Sequence, residues 1–100
     1  MNMTIKEKAI AAYKNKELSD KAAYLVFLQS KSKELGDRLG INIVGEYVFI
    51  EGVKFRVGIH FGRFGDPACL YPVNQNKQDY WQNSIYDLVD LGKYFLNNSL

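Results

Sequence analysis

The sequence predicts an α+β fold in two layers, with two N-terminal helices, a three-stranded antiparallel meander and a C-terminal helix. Apolar residues recur at helical spacing up to about residue 39, apolar and polar residues alternate from Val53 to Phe61, and helical spacing returns near the C-terminus. Helices segregated from antiparallel strands are typical of the α+β class. One hundred residues is close to the commonest domain size, so we predict a single domain spanning 1–100.

Two helices are predicted before the strands. The first covers about 4–17 and begins at Thr4, which is followed three residues later by a glutamate in a capping-box pattern. The second covers about 19–39 and ends at Gly40, a residue suited to the left-handed conformation that stops helices. The apolar spacing of this second helix is interrupted at Ser32.

The meander is predicted over about 43–73. Its central strand is the alternating segment, and Glu51-Gly52 forms a two-residue turn from the strand before it. A shorter third strand contains Pro72, whose missing backbone N–H indicates a position at the edge of the sheet. After a polar connector, Ser84 caps the last helix, which is predicted over about 84–96.

The two-residue turn fixes which residues of the first two strands face each other. Apolar pairs such as Val48 with Phe55 define the core face. A six-residue second loop would place His60 opposite Cys69, and Tyr71 across from a glycine. The other face then collects rings and cations with one histidine and one cysteine: Tyr47, Phe49, Lys54, Arg56, His60, Cys69 and Tyr71.

This second face is the candidate binding surface, because aromatic residues and arginine are typical of protein interfaces. The tip of the second loop adds an exposed ring and cation. The residues predicted to contact a partner are Tyr47, Phe49, Lys54, Arg56, Arg63, Phe64 and Tyr71. One alternative is an ordinary solvated face on which each cation attracts the ring opposite, by about 0.5–1 kcal/mol. Another is that a helix covers part of this face.

Composition argues against several classes of function. A net charge of +2 supplies no strong attraction for nucleic acid and no acidic excess for imitating it. Cys69 is the only cysteine, so no internal disulfide or thiolate zinc cluster is predicted. The N-terminal residues lack a secretory signal, and no apolar run is long enough for a membrane span, so we predict a cytoplasmic protein of a bacterial host cell.

No enzymatic activity, cofactor or metal is predicted. His60 beside Cys69 has the composition of a nucleophile with its base, but no orienting group or oxyanion donor is evident. The glycine-rich segment at 58–66 joins two strands, whereas phosphate-binding loops lead into a helix. The acidic residues show no metal-ligand spacing.

Three short runs, GVKFRV at 52–57, LYPV at 70–73 and DLVDLG at 87–92, resemble small uncharacterised proteins of bacterial phages and prophages. The resemblance covers about half the chain. Those proteins often carry a cysteine pair between the last strand and the helix, where this chain has NQNKQDYW at 74–81, so no zinc site is implied. The resemblance implies a mobile-element setting, in which small non-enzymatic proteins inhibit host machinery, including CRISPR nucleases.

The chain also resembles the double-stranded-RNA-binding domain in its order of helix, three strands and helix. That domain has a lysine cluster at the start of its last helix, and this chain has NSIYD at 83–87 instead.

We therefore expect a small non-enzymatic binding protein of phage type, an inhibitor of a host defence system in the manner of anti-CRISPR proteins, acting on a host protein or nucleoprotein complex. The alternative is a nucleic-acid-binding module in which the rings of the second sheet face stack on bases. A third class is a structural homodimer joined through the third strand or the first helices.

Overall fold

The computed structural model describes residues 3–18, 20–58, 67–73 and 84–98. Helices and strands in these ranges confirm the α+β class. In chain order they are α1 (Ile5–Asn15), α2 (Ala22–Gln29), α3 (Lys33–Arg38), β1 (Ile41–Val44), β2 (Tyr47–Ile50), β3 (Val53–Gly58), β4 (Cys69–Pro72) and α4 (Leu88–Asn98). The strands form one antiparallel sheet in the order β1-β2-β3-β4. None of the helices in the described ranges is long and apolar enough to cross a membrane.

The capping box predicted for the first helix is present at the start of α1. The Glu7 backbone N–H donates to the Thr4 hydroxyl at 3.2 Å, and the Thr4 N–H donates to the Glu7 carboxylate at 3.2 Å. At the other end Lys16 takes the left-handed conformation, with φ of 51°. This exchange of hydrogen bonds satisfies backbone donors that a helix start leaves without partners.

The prediction of one long helix over 19–39 is wrong, since α2 and α3 are separate. The Ser32 hydroxyl accepts a hydrogen bond from the Leu35 N–H at 3.3 Å and caps a new helix. The Ser30 hydroxyl donates to the Phe27 carbonyl at 2.9 Å, where α2 ends. Serine side chains that bond nearby backbone groups compete with helix continuation, and two of them flank this break.

The sheet has four strands within the described ranges, not the three that were predicted. The additional strand, β1, pairs with β2 through a two-residue turn at Gly45-Glu46. Gly40 and Gly45 bound it with φ of 77° and 62°, a region that favours glycine. β1 forms an outer edge of the sheet, and pairing with β2 leaves the backbone of Ile43 directed away from the sheet.

The predicted register between β2 and β3 is confirmed, including Val48 opposite Phe55. Both turn residues have positive φ, 48° at Glu51 and 86° at Gly52, which is the type I′ geometry of two-residue hairpins.

The predicted register between β3 and β4 is wrong by two residues. Cys69 lies opposite Gly58 and Tyr71 opposite Arg56, whereas the prediction placed Cys69 opposite His60 and Tyr71 opposite Gly58. A shift of two residues keeps each side chain on its face of the sheet, and the predicted face assignments therefore hold.

The prediction that the third strand lies at a sheet edge is confirmed, since β4 is the last strand in the sheet order, although an isolated bridge joins it to the segment before α4. Leu70 and Ile85 exchange two backbone hydrogen bonds of 2.9 Å, on the side of β4 away from β3. Because this segment is extended, the last helix begins at Leu88 and not at the predicted Ser84. Asp87 provides the cap, since its carboxylate accepts from the Asp90 N–H at 2.8 Å.

The core lies between the inner face of the sheet and the helices. Phe55 is fully buried at its centre and makes edge-to-face contacts with Tyr94 and Phe95 of α4, with ring centroids 5.4 and 6.0 Å apart. The helices α1 and α4 pack against each other where a side chain on Gly92 would overlap the backbone carbonyl of Ala9. The outer face of the sheet is thus the opposite side, and its residues are the candidate site.

Candidate interaction surface

Four of the seven predicted contact residues lie together on the outer face of β2 and β3. Tyr47 is opposite Arg56 and Phe49 is opposite Lys54, in a sheet segment held by the type I′ turn. Arg56 is exposed, and the other three side chains are partly exposed. We call these four residues, Tyr47, Phe49, Lys54 and Arg56, the outer-face patch.

The cations of the outer-face patch are engaged within the protein. The Lys54 ammonium lies 4.0 Å from the centre of the Tyr47 ring, the diagonal neighbour, and not over the opposite Phe49. The Arg56 guanidinium is 3.7 Å from the Glu46 carboxylate, in an exposed pair. Two cations and one carboxylate leave one net positive charge, so the surface is aromatic with a weak basic character.

Tyr71 was predicted as a contact residue, but it is buried. Only 8% of its surface is exposed, and its ring occupies the space where a side chain on Gly58 would lie. A side-chain hydrogen bond with Cys69, together with burial, raises the pKa of Tyr71 to about 12. Tyr71 therefore packs over Gly58 on the outer face of the sheet, and its phenol is neutral at any ordinary pH.

The predicted neighbours His60 and Cys69 do not form a cross-strand pair, because Cys69 lies opposite Gly58. The thiol is free of disulfides and its residue is 1% exposed, as is usual for a small apolar residue of a sheet. His60, Arg63 and Phe64 lie outside the described residues.

Several exposed apolar residues of the described structure were not predicted from the sequence, and two of their positions are considered next. One is on β1, where Val44 joins the outer face beside Tyr47 with 56% of its surface exposed. The other is on α2, where Tyr24, Phe27 and Leu28 are 44%, 40% and 37% exposed. The α2 sequence, AAYLVFLQ, contains no charged residue, and this was the available signal: a helix that is apolar on every side has no face suited to water.

A groove of about 520 Å³ lies between the end of α1 and the start of α4. Its lining includes Lys14, Lys16, Glu17 and Asp87, which belongs to the cap of α4. Across the residues that the structure describes, no cluster of three or more histidine, cysteine or acidic side chains is placed to hold a metal ion. The described part of the groove is thus lined by charged side chains of both signs.

Comparison with protein-family models, with curated proteins and with solved structures finds no significant match to this chain.

Proposed function

We propose that this protein acts by binding another protein through the outer-face patch, without a catalytic step. The observation that carries the proposal is the register of the β2–β3 hairpin, which brings two aromatic rings and two cations onto one side of a short, tightly turned ribbon. Tyrosine and arginine are enriched among the residues that contribute most to protein interfaces.

The rigidity of the hairpin favours binding. A two-residue turn holds β2 and β3 together, and β1 and β4 pair with them on either side. The aromatic side chains therefore require little ordering when a partner arrives, which lowers the entropic cost of association.

The charge distribution favours a protein over a nucleic acid. Lys54 already lies on a ring and Arg56 already faces a carboxylate, so contact with phosphates would require both cations to leave their present partners. Binding to nucleic acid depends on several free cations that neutralise phosphates. A partner protein can instead pack on the rings and accept hydrogen bonds from the exposed guanidinium.

The proposal includes the setting implied by the sequence resemblance, in which this protein belongs to a bacterial mobile element and inhibits a host defence protein by occupying its surface. The host defence protein would be the partner contacted by the outer-face patch.

The test is a double charge reversal, Lys54→Glu with Arg56→Glu, compared with the natural protein as bait in a lysate of a bacterial host. We expect the variant to lose the captured protein. The exposed ring–cation contact and ion pair together stabilise the fold by only about 1 kcal/mol, so the melting temperature should fall by several degrees without unfolding.

A matched control reverses two charges on α3, Lys33→Glu with Arg38→Glu, which changes the net charge equally at an exposed site. This control should retain the partner. Equal capture by both variants would contradict the proposal. Salt-sensitive binding of the natural protein to single- or double-stranded oligonucleotides, lost in the outer-face variant, would support the nucleic-acid alternative instead.

A further inference from the structure

Strand β1 has an outward backbone edge that pairs with nothing in the described part of the chain. The backbone groups of Asn42 and Val44 point to β2, whereas the N–H and C=O of Ile41 and Ile43 point away from the sheet. This alternation follows from the 2.7 Å hydrogen bond that the Gly40 carbonyl accepts from the turn after β2. Neither outward-facing residue makes a backbone hydrogen bond on that side with a described residue.

Helix α3 covers one end of this edge. A methyl group placed on Gly36 would lie only 3.0 Å from the Ile41 carbonyl oxygen, so the helix packs against the edge there. At the other end, β1 stops at the Gly45-Glu46 turn. The open stretch is therefore Asn42–Val44, three residues centred on the outward N–H and C=O of Ile43.

The open stretch lacks the features with which soluble proteins block the edges of their sheets. The sequence of β1 is INIV, which contains no charged residue and no proline. Ile43 and Val44 expose 38% and 56% of their surface, and as neighbours in a strand they lie on opposite faces. An apolar edge with free backbone groups is a template on which another strand can pair.

We infer that β1 pairs with β1 of a second copy of the same chain, antiparallel about a two-fold axis at Ile43. In this register Ile43 lies opposite Ile43 of the second copy, and the N–H of each donates to the C=O of the other. Both outward groups of each open stretch are then satisfied. The two isoleucine side chains also meet on one face of the joined sheet.

The ends of the open stretch favour this occupant. In the two-fold register, the residue opposite Ile41 is Gly45 of the second copy, so the second chain turns away where α3 begins to cover the edge. A long extended segment of another protein would continue into α3. Gly45 adds no side chain at this place, and no atom lies within 4 Å of a methyl group placed on it. The strand that fits the edge is one that ends as β1 does.

The length of the open stretch sets the expected strength of the dimer. A standard stable interface involves about 20–30 residues on each side, whereas this contact is centred on three residues of each copy. The dimer is therefore weak, and it forms and separates as the protein concentration changes.

This inference does not rest on the proposed function. The pairing uses the outward backbone of β1, whereas the outer-face patch consists of side chains on β2 and β3. A substitution at Ile43 leaves every residue of the patch in place. Loss of dimerisation and loss of partner capture are consequently separate outcomes, produced by different substitutions.

The first test needs no variant. Sedimentation equilibrium of the full chain from about 10 µM to about 1 mM should show a shift from monomer toward dimer, as a small interface requires. Amide hydrogen exchange over the same range should place the contact. Exchange of the Ile43 N–H should slow by about threefold at the highest concentration, because this donor is free in the monomer and bonded in the dimer.

Two substitutions at Ile43 test the pairing directly. Ile43→Lys places like charges opposite each other across the axis and should weaken the dimer at least about tenfold. Leu28→Lys is its matched control, because Leu28 is 37% exposed and lies on α2, which packs beside β4 at the other end of the sheet. This control should dimerise as the natural protein does.

Ile43→Pro removes the outward donor, which the pairing of β1 with β2 does not use, so it should abolish the dimer in a folded protein. Ile43→Val keeps the donor and a branched apolar side chain, and it should retain the affinity to within about threefold. Circular dichroism should show all four variants folded.

Three results would each overturn the inference: a natural protein that stays monomeric to the highest concentration, exchange at Ile43 that does not depend on concentration, or an Ile43→Lys variant that dimerises normally. A monomeric natural protein that captures a host protein, and loses it on Ile43→Lys, would show instead that the edge pairs with a strand of another protein.

Discussion

Gly92 determines how closely the helices α1 and α4 can pack. It lies on α4 where that helix crosses α1, and the backbone carbonyl of Ala9 occupies the place of a side chain. Helices whose axes come this close exclude even a methyl group, so the crossing depends on glycine at this position and on small residues such as Ala9 and Ala12 opposite.

Gly92→Ala should destabilise the protein by about 3 kcal/mol, because the added methyl group forces α1 and α4 apart in a filled core. Chemical denaturation would measure the loss. Gly45→Ala is the matched control: its φ of 62° is unfavourable for alanine, but no atom lies within 4 Å of the added methyl group. The control should cost only about 1 kcal/mol. Equal losses for the two variants would contradict this account of the crossing.

At the residue level, sequence alternation predicted the side of the sheet on which a residue lies, but not its exposure. Tyr47 and Tyr71 were both assigned to the outer face, and both lie there. Only Tyr47 remains accessible, since Tyr71 lies over Gly58 and bonds Cys69. Burial on this face depends on the neighbouring side chains, and a period of two residues carries no information about them.

At the level of elements, the β2–β3 turn is built from a residue that does not suit it. Glu51 adopts a left-handed conformation, with φ of 48°, that asparagine accepts more readily. The Glu51 carboxylate lies 3.9 Å from the Lys6 ammonium of α1. This weak ion pair offsets part of the cost of the left-handed conformation.

We predict that Glu51→Asn is more stable than Glu51→Gln by about 1 kcal/mol. Both variants lose the ion pair with Lys6, and only asparagine relieves the left-handed strain. Urea denaturation of the two variants beside the natural protein would separate the two effects. If the glutamine variant were equally stable, the conformation of the turn would not limit stability.

The elements that were predicted correctly are those with strong local signals. The capping box of α1 and the two-residue turn at Glu51-Gly52 depend only on nearby residues. The missed strand β1 has four residues, too few for alternation to stand out, although glycines bound it on both sides. The extended residues before α4 were read as its first turn, because Ser84 offers a cap whether or not a helix begins there. The pairing of Ile85 with Leu70 keeps this segment extended, and that contact joins residues far apart in the sequence.

At the level of the whole molecule, the strands β1 to β3 pair with their neighbours in sequence, whereas the helix pair α1 and α4 joins the two ends of the sequence. β1, β2 and β3 are joined by two turns of two residues each, so their pairing requires little loop closure. The helices α1 and α4 lie near opposite ends of the sequence and yet pack against each other. Their contact closes the largest loop that the fold contains, and its formation carries the greatest entropic cost.

We therefore predict that the hairpins form before the helix pair during folding. Val48→Ala in β2 should slow folding, with a φ-value above about 0.5, whereas Leu91→Ala in α4 should mainly accelerate unfolding, with a φ-value below about 0.3. Both residues are buried, so each substitution should change stability enough for stopped-flow measurements to resolve it. A high φ-value at Leu91 with a low one at Val48 would reverse the proposed order.

The Gly45-Glu46 turn gives the protein a place where its chain can be lengthened. No atom lies within 4 Å of a methyl group added at Gly45, and the carboxylate of Glu46 makes only an exposed pair with Arg56. Doubling the length of a flexible loop costs only about 0.6 kcal/mol. Inserted residues at this turn would extend beyond the end of the sheet next to the outer-face patch, so related chains can acquire new contacts with a partner there while the core stays unchanged.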